Sequence, residues 1–190
     1  GAKRARRGGF GMCFAGRIPN LFIMENTENK YQKSIDMLND AVRKEIASSL
    51  QYMYFHVHLE DAGYEYLSRY LHKVSIAEMR HIEMLAERIM FLEGDVDMNP
   101  HEPTRQITEV GDMLNFAIKI ERSTIDSYSE YSRIAAEAGD SVTHRMFQNL
   151  AADEEEHLDN FRTELQNLKD YGELYLSMQS VARSKEIAKK

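Results

Sequence analysis

A single cysteine, Cys13, leaves this chain no disulfide framework and no four-cysteine metal site. A reducing, cytoplasmic setting is the expectation that follows. Nowhere do 18 apolar residues run together, which excludes a membrane-spanning helix and any membrane partner of that kind. Tryptophan is missing, and only three prolines interrupt 190 residues, of which 29% are charged. Long stretches without helix breakers point to an all-α protein, and the length suits one domain with a sizeable core. Acidic residues are scarce only at the start. Residues 1–23 carry Lys3, Arg4, Arg6, Arg7 and Arg17 with no acid, while the remainder holds 19 basic and 31 acidic side chains. An acidic body argues against nucleic acid as a partner and favours cations.

Residues 1–23 also hold five of the ten glycines and show no helical period. They read as an extension, vector-derived or from an upstream start, or else as a basic arm; the folded domain is expected over 24–190. The first helix is expected over 34–62, stopped by Gly63, and the second over 64–94. Residues 95–107 contain two prolines and no period. Thirteen extended residues reach about 43–47 Å, and a 30-residue helix is about 45 Å long. That segment can therefore cross a bundle end to end and leave the second and third helices parallel. The third helix is expected over 108–138, stopped by Gly139. The fourth should span 141–170, and Gly172 should separate it from a short fifth helix over 173–188. The expected fold is a four-helix bundle with one long crossover and a short C-terminal fifth helix.

Its chemistry is concentrated in residues 76–92. The apolar stripe of that helix reads Leu71, Val74, Glu78, His81, Leu85, Ile89, Leu92, so two titratable residues occupy positions where helical period demands core. An unpartnered carboxylate there would cost several kcal/mol, roughly. The fourth helix repeats the anomaly with Met146, Leu150, Glu154, His157, Phe161, Leu165, Leu168. Glu45 precedes Glu78 by 33 residues, and Glu121 precedes Glu154 by the same interval. Glu45/Glu121, Glu78/Glu154, His81/His157, Tyr52/Tyr128 and Gly63/Gly139 all share an offset of 76, an internal repeat whose unit is a helical hairpin. A lone Glu-x-x-His is a weak signal. Here there are two, both on core stripes and each preceded by a stripe glutamate. Glu and His three apart share a helix face, so Glu45, Glu78, His81, Glu121, Glu154 and His157 can meet at one level of the bundle. Four carboxylates and two imidazoles suit two divalent ions, iron or manganese, with zinc able to substitute. Such a paired-carboxylate bundle is a standard example of di-iron architecture.

Residues 29–185 resemble the bacterioferritins, with Glu45, the Glu78-Met79-x-His81 motif, Glu121 and Glu154-x-x-His157 at that family's spacing, and Arg-Ile-Met-Phe-Leu-Glu-Gly at 88–94. The resemblance implies a ferritin-like fold and a ferroxidase. Two iron ions per subunit would be oxidised by O2 or H2O2, and ferric mineral would be stored in a hollow homo-oligomeric shell of twenty-four subunits. Glu78 and Glu154 would bridge the irons, with Glu45 and His81 completing one and Glu121 and His157 the other. Tyr52 matches a tyrosine kept beside that centre, with a redox or hydrogen-bonding role or simply a core position. Met79 would ligate haem b shared across a two-fold dimer, serving electron transfer from a ferredoxin-type reductant for iron release. The residues alone say that Met79, His72 and Ile76 form an outward line on the second helix, matched by Ile46, Leu50, Met53 and Val57 on the first. Such a second apolar stripe is expected to be covered by another subunit, and a methionine there can also be simple packing. An accessory inner iron site of some family members is not expected, because Lys73 and Ala77 fill its positions. His56 is expected to be a core hydrogen-bonder, and His58, His72, His101 and His144 carry no assignment. A di-iron or di-manganese peroxidase or catalase without mineral is the alternative enzyme; a metal-stabilised assembly module is the non-enzymatic one.

Overall fold

The structure, a computed structural model, describes residues 29–188; the reading of 1–23 as an extension lies outside the described residues. Four helices account for almost all of it: α1 (Gln32–Asp61), α2 (Glu65–Phe91), α3 (Val110–Glu137) and α4 (Ser141–Ile187). None is long and apolar enough to cross a membrane. The two hairpins α1–α2 and α3–α4 pack face to face, α1 against α3 and α2 against α4. The expected four-helix bundle is what forms. The expected fifth helix is the segment of α4 beyond Gly172, whose φ of 52° and ψ of −132° break the helical run. It folds back so that Gln179 accepts a hydrogen bond from the Leu67 amide at 3.2 Å.

The crossover between α2 and α3 runs along α1, which fixes its direction. Asn39 holds the Asp95 carbonyl at 2.9 Å and the Asp97 amide at 2.8 Å. The His101 amide donates to the Arg43 carbonyl at 2.8 Å, and Gln51 grips both the amide and the carbonyl of Arg105 at 2.7 and 3.0 Å. The strap thus travels from the N-terminal end of α1 toward its C-terminal end. In consequence α3 starts where α2 started, and the two lie parallel.

Helix α2 ends at Phe91, three residues before the expected bound at 94. The left-handed residue is Glu93 (φ 61°), not Gly94. Gly94 is there for space: a Cβ would lie 2.8 Å from Ile35 Cγ2 and 3.0 Å from Ile89 Cγ2. Glu93→Gly should therefore stabilise the protein by about 1 kcal/mol, and Gly94→Ala should destabilise it by about 1–3 kcal/mol through overpacking. Urea unfolding of the two variants checks both signs.

Apolar packing is divided into two storeys. One gathers Tyr52, Phe55, Leu59, Leu71, Leu114 and Phe161; the other gathers Leu38, Val42, Leu85, Ile89, Phe147 and Leu150. Between them lies a layer of buried acids and histidines.

Candidate metal centre

Every residue of the α2 stripe from Leu71 to Leu92 is buried, Glu78 and His81 included. Glu45 and Glu121 are equally buried on α1 and α3, and Glu154 on α4, while His157 keeps a little exposure. The six residues gather into two overlapping quartets, Glu45–Glu78–His81–Glu154 and Glu78–Glu121–Glu154–His157. Within each, one ligand atom per residue lies within 4.8 Å of the others. Glu78 and Glu154 belong to both. Their oxygens divide between the histidines: Glu78 reaches His81 Nδ1 at 3.0 Å and His157 Nδ1 at 3.2 Å, and Glu154 reaches the same atoms at 3.1 and 3.0 Å. Glu45 approaches His81 alone, at 3.6 Å.

Several of these atoms are close without being aimed at one another. Both Glu78 oxygens, Glu154 Oε1 and His81 Nδ1 are sealed from solvent and make no hydrogen bond of acceptable geometry. Buried polar atoms left so would cost about 1–3 kcal/mol each. Convergence on common points between them is the geometry of a donor set for cations, and two divalent ions would neutralise the four carboxylates. Oxygen and imidazole nitrogen donors suit iron, manganese or zinc.

The electrostatics agree. Burial, then the charges of Glu78 and Glu154, push Glu45 and Glu121 well above the usual carboxylate range. Burial opposes ionisation of Glu78 too, but His157 and His81 outweigh it and hold that carboxyl at about 2. Burial would strip the proton from His157, yet Glu154 and Glu78 keep it, raising the group to about 10; His81 is raised likewise by Glu154, Glu45 and Glu78.

Two tyrosines buttress the outer glutamates crosswise. Tyr52 on α1 donates to Glu121 on α3 at 2.5 Å, and Tyr128 on α3 donates to Glu45 on α1. Tyr52 is thus brought to the site, and Tyr128 is a neighbour that sequence reasoning left without a role although it shares the offset of 76. His56 bonds Ser68 at 2.9 Å as expected of a core histidine. His144, unassigned from sequence, bonds Ser132 at 2.8 Å; the offset of 76 relates the two pairs with His and Ser exchanged. Asp153 is a further neighbour, its Oδ2 3.5 Å from His81 Nε2. It lines a cavity of about 310 Å³ between α2 and α4 that reaches both His81 and His157. Met79 is not part of this cluster. It stands on the outer face of α2, 53% exposed, as Leu50 and Val57 stand on α1 at 50% and 51%.

The ferritin-like domain family matches over residues 35–171. The bacterioferritin of Brucella melitensis biotype 1 is 36% identical over 141 residues, covering 74% of this chain and 88% of the relative. That of Desulfovibrio desulfuricans is 33% identical over 160 residues, covering 80% and 85%. Among solved structures, a Desulfovibrio desulfuricans bacterioferritin, described for its diiron site in different catalytic states, superposes with a TM-score of 0.77 at 30% identity, covering 80% of this chain and 90% of that one. The Rhodobacter capsulatus bacterioferritin, with a metal-free dinuclear site and its haem iron in a crystallographic special position, gives 0.76 at 29% identity, covering 78% and 93%. With its paired-carboxylate layer, its crossed four-helix bundle and these relatives, the chain belongs to the bacterioferritin family.

Proposed function

We propose that the protein is an iron-storing ferroxidase, and the observation that carries this reading is the pair of quartets sharing Glu78 and Glu154. Fe(II) is the substrate. Glu45 and His81 hold one ion, Glu121 and His157 the other, and Glu78 and Glu154 span both. Each Fe(II) gives up one electron, so a pair reduces H2O2 to water or O2 to H2O2. The four carboxylates favour the higher charge of the ferric product, and the tyrosine hydroxyls of Tyr52 and Tyr128 fix the outer glutamates in place for it. Tyr52, which donates to Glu121, would take a redox or hydrogen-bonding role beside the site.

Storage follows from assembly. The exposed line of Leu50, Val57 and Met79, together with Tyr171 just before Gly172 and Leu174 and Met178 after it, gives the chain two apolar surfaces for copies of itself. A hollow twenty-four-subunit shell in the cytoplasm is the assembly we infer, built from domain 24–190 with residues 1–23 outside it. Met79 would hold haem b between two copies, since its side chain stands exposed on the outer face of α2 and a thioether is a suitable donor to haem iron. The haem iron of the Rhodobacter capsulatus relative, in a crystallographic special position, supports this. Haem there would pass electrons from a ferredoxin-type donor to stored iron.

An anaerobic Fe(II) titration followed by an air pulse tests the reading. Saturation at two irons per chain, rapid oxidation and continued uptake far beyond two are expected. A haem absorption band should disappear in Met79→Leu. Oxidation that stops at two irons would overturn storage and leave a di-metal redox enzyme.

A further inference from the structure

The offset of 76 relates the two halves of the metal cluster residue by residue, yet only one of its histidines has a carboxylate behind it. His81 turns Nδ1 toward Glu78 and Glu154, and its Nε2 faces the other way, to Asp153 Oδ2 at 3.5 Å. His157 turns Nδ1 toward the same two glutamates. Among the described residues no carboxylate pairs with its Nε2. The repeat shows why: the position corresponding to Asp153 is Ala77. Both residues line the cavity of about 310 Å³ that reaches the two imidazoles, so the difference between them lies behind the ligands and not among them.

An imidazole that gives its far N–H to a carboxylate is held in one tautomer and one ring orientation, and its near nitrogen becomes the better donor. We propose that Asp153 is a positioning residue for His81, and that Ala77 in the matching place makes the two metal positions unequal. The position completed by Glu45 and His81 fills first and holds its ion more tightly. The position completed by Glu121 and His157 fills second and releases first. This rests on the di-metal reading above and adds an order to it. Oxidation of a pair needs both positions occupied, so the weaker one sets the Fe(II) concentration at which the site begins to work. Asp153 is 60% exposed on its side chain, which places the effect at the lower end of the about 10- to 100-fold range known for carboxylates that support metal-bound histidines.

The test is an anaerobic Co(II) titration of the full chain, read by calorimetry and by the visible absorption of bound Co(II). Wild type should take two ions in steps separated by about tenfold or more. Asp153→Ala should weaken the first step by about tenfold and leave the second in place, while Asp153→Asn, which keeps a carbonyl acceptor, should retain part of the difference. Ala77→Asp should strengthen the second step toward the first. Thermal unfolding of each metal-free variant separates these effects from misfolding. Two equal steps in wild type, or an unchanged isotherm in Asp153→Ala, would overturn the proposal with the di-metal reading intact. Failure of wild type to bind two ions would overturn that reading itself.

Discussion

Replacing Glu78 by glutamine is expected to destabilise the metal-free protein by about 3 kcal/mol and to abolish binding of both divalent ions. Glu78 is fully buried, and its two oxygens serve two different histidines, His81 at 3.0 Å and His157 at 3.2 Å. Those histidines hold its carboxyl at about 2, so it is ionised at neutral pH. Because the folded value is depressed, the stability it contributes is present above the ordinary carboxylate range and is lost only as pH falls toward 2. At pH 7 all of it is at stake. Glutamine keeps the shape and removes the charge, leaving two buried imidazolium rings short of a counter-ion. The same change removes the one carboxylate on α2 common to both quartets, so neither ion keeps its donor set. Glu121→Gln makes the contrast. Glu121 is pushed toward its protonated form in the metal-free state, because burial and the neighbouring charges of Glu154 and Glu78 raise it. An amide oxygen can still accept from Tyr52, so that variant should fold with nearly unchanged stability and lose one ion position. Urea midpoints measured with a chelator, and calorimetric stoichiometries without one, decide. A Glu78→Gln protein that still binds one ion would show that the carboxylate is not shared.

Why the site was legible before the fold is a matter of cost. A helix that places Glu78 and His81 on the stripe of Leu71, Val74, Leu85, Ile89 and Leu92 announces a buried charge, and buried charges need partners. All seven positions are buried in the structure. Period and cost together therefore locate the candidate ligands on each helix, and the offset of 76 pairs the hairpins. The same offset pointed to Tyr128 opposite Tyr52, but that one tyrosine would hold the other hairpin's glutamate depends on how α1 faces α3. Asp153 had no signal at all. It sits beside Glu154 on an exposed position, and it reaches His81 only because α2 and α4 pack at that level. The end of α2 shows the converse. The expected end of the second helix fell at 94, but the left-handed turn that ends it falls on Glu93, and the crowding of Ile35 and Ile89 is what requires glycine at 94. Met79 was legible as an outward residue because it lies off the buried stripe, and it stands 53% exposed.

Loading the site should release protons, and the affinity for divalent ions should climb steeply as pH rises. The metal-free centre is charge-balanced by protons. Glu45 and Glu121 keep theirs because burial, then Glu78 and Glu154, raises them well above the usual range. His81 and His157 keep theirs because the surrounding carboxylates outweigh the burial that would remove them, and His157 reaches about 10. A cation binds none of these four groups in its protonated form, so their protons compete with it. Each proton released multiplies the affinity by about ten per pH unit. The sign for the metal-free fold is opposite. The raised His157 contributes stability that is complete below its unfolded value near 6.5 and is lost as pH rises through about 10, and the raised His81 acts in the same sense. The raised glutamates act in the same sense, since an unfolded chain ionises them freely and the fold does not. Alkali should therefore weaken the metal-free protein while tightening its hold on metal, and the rise in Tm on adding Co(II) should be larger at pH 8 than at pH 6. Calorimetry in buffers of different ionisation enthalpy counts the protons directly. A release near zero, with a Tm shift independent of pH, would mean that the carboxylates stand ionised and unbalanced in the core, which the charge of a buried layer between two apolar storeys does not allow.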